Sequence, residues 1–182
     1  TVFEVLGRGL AVDPLIENIL VAGRLFAAIA PAALREEWLP GLLDGSRRLA
    51  LAHGELRGRP GRLWVECKAS ANGSGTQLTG AKAYVPAGAG VDAYLVSART
   101  SGDADSPEGV TLYLVPAKSP GLASQQWRMA DGSIAVSLKL DAVPVNQGSE
   151  LAGATNVQLP VAGHFRILSR PETASAVLAA VS

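Results

Sequence analysis

The chain has 182 residues, enough to bury a sizeable core in one large domain or two small ones. Its 16 basic and 16 acidic residues cancel, so no long-range field would steer it to nucleic acid or to an anionic membrane surface. Hydrophobic residues make up 48% of the chain and charged residues only 18%, so part of the apolar surface is available for a subunit interface.

The single cysteine, Cys67, excludes an internal disulfide and a thiolate metal cluster, and a buried, inert thiol is its default interpretation. No apolar run approaches the roughly 18 residues of a membrane span, and no signal-peptide pattern is present. These features predict a cytoplasmic protein. Because the chain begins at Thr1, without Met and within a helical pattern, we expect a fragment or a chain whose start is not shown.

The first predicted unit is a helical domain over residues 1–45. Val2, Val5 and Leu6 fall on one helical face, and Asp13 followed by proline predicts the start of a second helix that ends near residue 30. A third helix, PAALREEWL, is expected to end at Pro40 and Gly41.

From about residue 46 the hydrophobic period changes from near 3.6 to near 2, which predicts β-strands. Turn residues separate six segments, RRLALAH, RLWVECKA, TQLTGAKAYV, VDAYLVSA, GVTLYLVPA and SIAVSLKL. The fold class is therefore α+β, with N-terminal helices followed by an antiparallel β-barrel or sandwich over residues 46–145. Residues 146–182 form an unassigned tail with one predicted strand, LPVAGHFRIL, and a short helix at RPETASAVLAAVS.

Residue types alone support no particular chemistry. The two histidines, His53 and His164, lie in no nucleophile motif, and the glycines form no phosphate-binding loop. The loop TSGDADSPEG has too few carboxylates at fixed offsets for a hard cation and is interpreted as a solvated hairpin loop. Five arginines between residues 47 and 62 are interpreted as a solvated rim rather than a nucleotide patch.

Five stretches, in order, resemble the acyl-CoA dehydrogenase family. VFEVLGRGLAVDPLIEN is similar to a helix with E-x-L-G-R-x-L-A, and LREEWLPGLLDGSRRLALAH to L-R-x-x-W-L-P-x-L-x-x-G-x-x-x-x-A-L-T-E. TGAKAYVPAGAGVDAYLVSART resembles L-x-G-x-K-x-[WY]-[IV]-[ST] continuing to A-D-x-x-L-V-x-A-R-T. GVTLYLVPAKSPGL and SIAVSLKLDAVPV resemble the family's next strands. The match covers roughly residues 1–145.

This resemblance implies a flavoprotein with an N-terminal helical domain, a middle β-barrel and a C-terminal four-helix domain. It implies FAD as cofactor, an acyl-CoA substrate of fatty-acid or steroid catabolism, an electron-transfer acceptor, and α,β-desaturation to the trans-2-enoyl-CoA. In the family a glutamate takes the α-proton, and the β-hydrogen leaves as hydride to the flavin. No counterpart of the four-helix domain is recognisable in residues 146–182, and no catalytic residue or metal ligand is assigned.

By the same resemblance, the flavin contacts fall on two segments of the middle domain, at Leu49, Leu51, Ala52, Tyr84, Val85 and Pro86. Several family features are replaced. Ala52 stands where the family has Ser or Thr, and His53 where it has an acid. Pro86 stands where a Ser or Thr bonds near flavin N5, and proline has neither a hydroxyl nor a backbone N–H to donate. GELRGRPGR replaces the P-x-x-G-S-D stretch, and MADGS lacks the arginine of M-G-x-R-x-[ST].

These replacements cluster on the flavin side, so two hypotheses stay open. The chain is either an FAD-dependent acyl-CoA dehydrogenase, alone or as one subunit of a homo- or heteromer that binds FAD mainly through its partner, or a non-catalytic structural or regulatory subunit that binds no flavin. A relative with different chemistry on the same fold is a third, more distant option. No nucleic-acid partner and no membrane insertion are expected.

Overall fold

The computed structural model describes residues 1–58, 64–73, 75–146 and 148–154, and two further short strands at 156–158 and 166–168. The helical part contains α1 (Val2–Arg8), a π-helix (Leu15–Gly23), α2 (Arg24–Ile29) and α3 (Ala32–Asp44). The strands are β1 (Leu49–Ala52), β2 (Lys68–Asn72), β3 (Gly75–Pro86), β4 (Ala93–Arg99), β5 (Val110–Pro116), β6 (Leu122–Arg128), β7 (Ile134–Val145), β8 (Glu150–Ala154), β9 (Asn156–Gln158) and β10 (Arg166–Leu168). The fold is α+β, as predicted. No helix of these residues is long and apolar enough to cross a membrane.

The predicted second helix consists of two segments. Its first nine residues are a π-helix, at whose end the backbone N–H of Arg24 reaches the carbonyl of Ile19, five residues earlier. The α-helical α2 follows directly. The predicted end of the third helix was wrong, because α3 includes Pro40 and ends at Asp44, before Gly45 in the left-handed conformation with φ 79°. Trp38 and Leu42, one turn apart, are both buried, and this packing carries the helix past the proline.

The strands form an eight-stranded sheet in the order β6-β7-β3-β2-β4-β5-β8, with β1 paired to β4. All pairs along this order are antiparallel except β2 with β4, and β1 also runs parallel to β4. Sequence analysis missed β6, whose residues after Leu122 are all exposed and carry no hydrophobic alternation. The strand expected at residues 62–69 begins only at Lys68.

Strand β4 lies between two hydrophobic clusters and is buried along its whole length. Tyr94, Val96 and Ala98 belong to a cluster inside the sheet that also contains Leu138 of β7. Because three pairings separate β4 from β7 in the strand order, this shared cluster requires the sheet to curl over itself. On the other face of β4, Leu95 packs with the residues of α2, the π-helix and α3.

The tail of the chain is described only in part. Strand β8 extends the sheet beyond β5, and β9 pairs antiparallel with β10. The predicted strand LPVAGHFRIL is represented by β10 at its end, and the predicted terminal helix lies outside the described residues. The domain boundaries at residues 45 and 145 stay predictions.

A buried ion pair crosses the sheet interior. The ammonium of Lys82 on β3 donates to Glu55 Oε1 at 2.6 Å, and their side chains are 0% and 3% exposed. The same ammonium donates to Ser97 Oγ on β4 at 3.0 Å. The Glu55 carboxylate also accepts the backbone N–H groups of Glu66 and Cys67. Lys82 therefore links β3, β4 and the chain after β1, and its charge is matched where water is excluded.

Arg99 organises the loop between β4 and β5 from inside. Its buried guanidinium donates to five backbone carbonyls, those of Val65, Ser101, Ala104, Ser106 and Glu108. The loop TSGDADSPEG, predicted as a solvated hairpin loop, does connect β4 to β5. Its shape is fixed by backbone carbonyls that converge on one cation.

We predict that Lys82→Met lowers the free energy of unfolding by about 3–5 kcal/mol, because it leaves the Glu55 carboxylate buried without its counter-charge. The double variant Lys82→Met with Glu55→Gln should regain part of this loss, since the introduced glutamine is uncharged and its amide oxygen can still accept one of the two backbone N–H groups. Urea unfolding monitored by circular dichroism measures both differences.

Arg57→Ala is the matched control for that comparison. Arg57 pairs with Glu66 at 3.3 Å, but the two side chains are 76% and 42% exposed. Loss of this surface pair should change the free energy of unfolding by about 0.5 kcal/mol or less. If Lys82→Met were no more destabilising than Arg57→Ala, the structural role given to the buried pair would be wrong.

Candidate functional site

A cavity of about 870 Å³ lies between the N-terminal helices and one edge of the sheet. One wall comes from α1 and from the segment that leads into the π-helix. The opposite wall is formed by the end of β3 with its turn, and by the loop between β6 and β7. The residues that line it are Leu6, Gly7, Leu10, Ala11, Val12, Asp13, Pro14, Glu17, Asn18, Arg48, Tyr84, Pro86, Ala87, Ala89, Asp131, Gly132, Ser133 and Ile134.

Two of the six residues predicted to contact a flavin, Tyr84 and Pro86, line this cavity. Val85 is fully buried in the sheet interior, because successive side chains on a strand point to opposite faces. The three residues on β1 do not line the cavity. Leu49 and Ala52 are fully buried, and Leu51 packs partly buried against the helical cluster. Flavin contact by any of the six stays a prediction.

The structure does bring the two predicted segments together. Just after β1, Gly54 forms an antiparallel bridge with Tyr84, and the N–H of Ala83 donates to the Gly54 carbonyl at 2.9 Å. A side chain at position 54 would meet the Tyr84 carbonyl, since a Cβ there would lie 3.2 Å from it. The glycine therefore allows the two segments to pair, and Tyr84 is held at the cavity rim.

The stretch PAGAG is a turn, as the sequence predicts, and its first residue ends β3. Ala87 has φ 50°, a left-handed conformation that is unfavourable for a residue with a Cβ. Two side chains hold this turn from opposite sides. The Asn18 amide donates to the Ala87 carbonyl at 3.3 Å, and the Tyr94 hydroxyl donates to the Gly88 carbonyl at 2.9 Å.

An aromatic pair stands at the edge of the cavity. The rings of Tyr84 and Trp127 are 5.7 Å apart with an interplanar angle of 52°, and the residues are 40% and 39% exposed. Ile134, the first residue of β7 after the loop that follows β6, is also exposed. Sequence analysis missed Trp127 because β6 lacks a strand pattern. The sequence feature that could have identified it is a tryptophan within an otherwise polar segment.

The charges around the cavity are mainly negative. Among the lining residues that the structure describes, three are carboxylates, Asp13, Glu17 and Asp131, and Arg48 is the one cation. The Arg48 guanidinium already donates to the Gly90 carbonyl at 2.7 Å. Hydrogen bonds from Ser133 lower the pKa of Asp131, so this carboxylate carries its charge at neutral pH. Among the described residues, no group of three His, Cys, Asp or Glu side chains forms a candidate metal site.

His53 occupies the position after Ala52, next to the buried ion pair. Its Nδ1 lies 3.0 Å from Ser97 Oγ, the hydroxyl that also accepts from Lys82. Burial, and then the positive charge of Lys82, lower the pKa of His53 to about 4. Sequence analysis interpreted His53 as a partly exposed polar residue. The structure gives it a partly buried place in the polar network, as a neutral imidazole at neutral pH.

Cys67 is confirmed as a buried thiol. Its side chain is 0% exposed, and burial is the main cause that raises its pKa. Gly80 approaches it closely, since a Cβ at position 80 would lie 2.7 Å from the Cys67 Cα. The thiolate, the reactive form, is therefore disfavoured at this position.

We predict that the free energy of unfolding falls as the pH drops from about 6.5 toward 4, partly because of His53. The unfolded chain binds a proton on this histidine near pH 6.5 and the folded chain only near pH 4, so acid favours unfolding in this window. The contribution reaches at most about 3 kcal/mol, at about 1.36 kcal/mol per pKa unit.

His53→Gln removes this titration, so the stability advantage of the unmodified chain over the variant should shrink as the pH falls. Urea unfolding at a series of pH values measures the two curves. Parallel curves between pH 6.5 and pH 4 would show that His53 titrates normally in the folded protein.

No protein-family model matches the chain. A curated relative, acyl-CoA dehydrogenase FadE27 of Mycobacterium tuberculosis, is 33% identical over 122 residues, which are 67% of this chain and 30% of that protein. The chain thus spans about a third of the length of this relative.

Solved structures of the same family resemble the chain over most of its length. The ChsE4-ChsE5 complex from Mycobacterium tuberculosis superimposes with a TM-score of 0.69 and 25% identity, over 94% of this chain and 40% of that one. A variant of the Tcur3481-Tcur3483 steroid ACAD gives 0.63 and 30%, over 95% and 40%. Glutaryl-CoA dehydrogenase from Mycobacterium smegmatis gives 0.63 and 25%, over 71% and 34%. With its ordered motifs and its α+β fold, the chain belongs to the acyl-CoA dehydrogenase family.

Proposed function

We propose that this chain is one subunit of a heteromeric acyl-CoA dehydrogenase, in which it supplies the apolar wall of a composite site and its partner supplies most of the FAD contacts. The reaction is α,β-desaturation of an acyl-CoA thioester to the trans-2-enoyl-CoA. The observation that carries the proposal is the cavity itself, which joins an apolar wall at Tyr84 and Pro86 to a mainly negative rim.

The charge of the cavity favours the uncharged parts of the ligands over their phosphates. FAD and acyl-CoA both carry phosphates, which bind to cations and to backbone N–H groups. Among the described residues that line this cavity, three are carboxylates and the one arginine already bonds Gly90, so the rim that they form is unfavourable for phosphate. The apolar wall suits a flat ring or an acyl chain. We infer that the uncharged parts of the ligands lie here and that the partner binds the phosphates.

Pro86 supports the same division. Where the family pattern places a Ser or Thr near flavin N5, proline offers neither a hydroxyl nor a backbone N–H. It can still pack against a ring and exclude water. A flavin beside this wall would therefore take its polar contacts from the partner, and this chain would contribute a complementary surface and exclude water.

The chemistry that FAD supplies when bound is acceptance of a hydride from the acyl β-carbon. Tyr84 and Pro86 would pack against the reacting groups and keep water out, which strengthens the electrostatic interactions inside the site. Asp13 and Asp131 accept hydrogen bonds from the N–H groups of Leu15 and Ser133. These two carboxylates are engaged in local structure, which leaves Glu17 as the other carboxylate that lines the cavity. We propose that the partner, rather than Glu17, provides the catalytic base.

The names of the structural relatives support a heteromer. ChsE4-ChsE5 is described as a complex, and Tcur3481-Tcur3483 as a steroid ACAD with two named components. By analogy we propose a second, related subunit as the partner, and a steroid or fatty acyl-CoA as the substrate. An electron-transfer acceptor and a cytoplasmic location belong to the same proposal.

A second candidate is a non-catalytic subunit that stabilises its partner and binds no flavin. Pro86 and the negative rim support this candidate as well, because each removes an interaction with a flavin or its phosphates. The two candidates differ in whether the wall formed by Tyr84 and Pro86 touches a ligand.

Co-expression of the full-length protein with a candidate related subunit tests the proposal. We expect a yellow complex that reduces an electron acceptor when acyl-CoA is added, measured by flavin absorbance and by acceptor reduction. A colourless, inert complex would exclude the dehydrogenase. A yellow, active complex whose activity is unaffected by Tyr84→Ala would favour the non-catalytic subunit, since that substitution removes part of the wall.

We further predict that Pro86→Thr, combined with Ala52→Ser, leaves the flavin content per complex unchanged, because the negative rim remains. Pro116→Thr, at the exposed end of β5, is the matched control. Flavin content is measured from absorbance after denaturation. A doubled flavin content in the Pro86 variant alone would mean that this chain has a second, weakened flavin site, contrary to the proposed division.

A further inference from the structure

Asn18 is a buried amide at the junction between the helices and the sheet. It is 4% exposed, and among the described helical residues it is the one buried polar side chain. Its Nδ2 donates to the Leu49 carbonyl on β1 at 2.7 Å and to the Ala87 carbonyl in the turn after β3 at 3.3 Å. One amide therefore joins the π-helix to β1, 31 residues later, and to the turn after β3, 69 residues later.

The helix that carries Asn18 has unusual geometry. Asn18 lies within the π-helix, a rare conformation that frequently occurs at functional sites. Gly23 allows the wide turn to pack, because a Cβ at position 23 would lie 3.1 Å from the Asn18 carbonyl. Asn18 and Ala22, one turn later, are the two buried residues of this helix. The buried face thus presents a polar donor to the sheet between apolar neighbours.

The turn that Asn18 holds is strained and crowded. Ala87 adopts the left-handed conformation, with φ 50°, which is unfavourable for a residue with a Cβ. Such a conformation persists only where the surroundings fix it. The turn packs closely on the sheet at Gly88, where a side chain has no room, since a Cβ there would lie 2.6 Å from Val136 Cγ2. The Tyr94 hydroxyl holds the turn from the interior, and Asn18 holds it from the helix side.

Asn18 also lines the cavity, together with Pro86 and Ala87. We propose that Asn18 is a positioning residue, which fixes the Tyr84–Ala87 wall against the helices and so sets the geometry of the cavity for its ligand. The inference rests on the proposed function for the identity of that ligand. It adds that the wall is held in place by the helical segment, through one side chain that is not expected to touch the reacting atoms.

The test compares Asn18→Ala and Asn18→Ser with Tyr113→Phe, in the full-length protein and in its complex. Asn18→Ser keeps one hydroxyl donor and serves where the alanine variant does not fold. Tyr113→Phe is the matched control. It also removes one side-chain hydrogen bond, from the Tyr113 hydroxyl to Glu150 at 3.3 Å, but Tyr113 lies in the sheet interior and does not line the cavity.

The first readout needs no ligand. The variants and the control are compared under conditions that give them the same free energy of unfolding. Hydrogen exchange of the backbone amides between residues 84 and 90 should then be faster in the Asn18 variants than in the control. The second readout is titration of the flavin-free complex with FAD. We expect the dissociation constant to rise about tenfold in Asn18→Ala, as for the loss of one buried hydrogen bond, and less in Asn18→Ser.

The outcomes separate the two proposals. If the unmodified complex binds no FAD, the proposed function fails, while faster exchange confined to the turn would still establish that Asn18 positions it. If the complex binds FAD and the Asn18 variants match Tyr113→Phe in both readouts, the proposed function stands and Asn18 is an ordinary structural residue.

Discussion

The ion pair between Lys82 and Glu55 is the interaction on which the arrangement of the site depends. The Lys82 ammonium is tolerated in the sheet interior because it donates to Glu55 and to Ser97, and the Glu55 carboxylate in turn accepts two backbone N–H groups. Lys82 lies two residues before Tyr84, and Glu55 follows Gly54, the bridge partner of Tyr84. The pair therefore fixes the chain after β1 against the end of β3, and a shift in the β3–β7 register between Lys82 and Val85 leaves Tyr84 at the cavity while Lys82 and Val85 are buried.

The cavity wall is held from the other side by the helices. Asn18 bonds β1 and the turn after Pro86, so the helical segment and the sheet share one polar contact at the point where the cavity forms. The charges follow the same division. Cations and donors are used inside the protein, on carbonyl and carboxylate groups, and the cavity rim is left with mainly negative side chains. From this distribution of charge we propose that this wall takes an uncharged surface and that the partner binds the phosphates.

Parts of the candidate site could be predicted from the sequence and parts could not. Tyr84 and Pro86 could be identified because they lie in an ordered motif on a predicted strand. Lys82 and Val85 are both buried, and the register of β3 shifts between them, so simple alternation does not assign the faces of the whole strand. Leu49 and Ala52 lie in another of the ordered motifs, and their burial depends on packing against β4 and the helices. Sequence analysis did not identify Trp127, Asn18 and Glu55. Each of them contacts a residue that is far away in the sequence, and no local pattern indicates such a contact.

By itself the sequence determined the class of the fold, the helices before the strands, the turn at PAGAG and the resemblance to a family, because periodicity and turn residues are local properties. The tertiary structure alone decided that α3 continues through Pro40, that β6 forms an edge strand, and that Lys82 meets Glu55. It also decided that the two predicted flavin segments pair while only one of them lines the cavity. The physical reason is that burial and charge pairing are set by residues distant along the chain, whose approach is fixed only when the whole sheet has closed over its core.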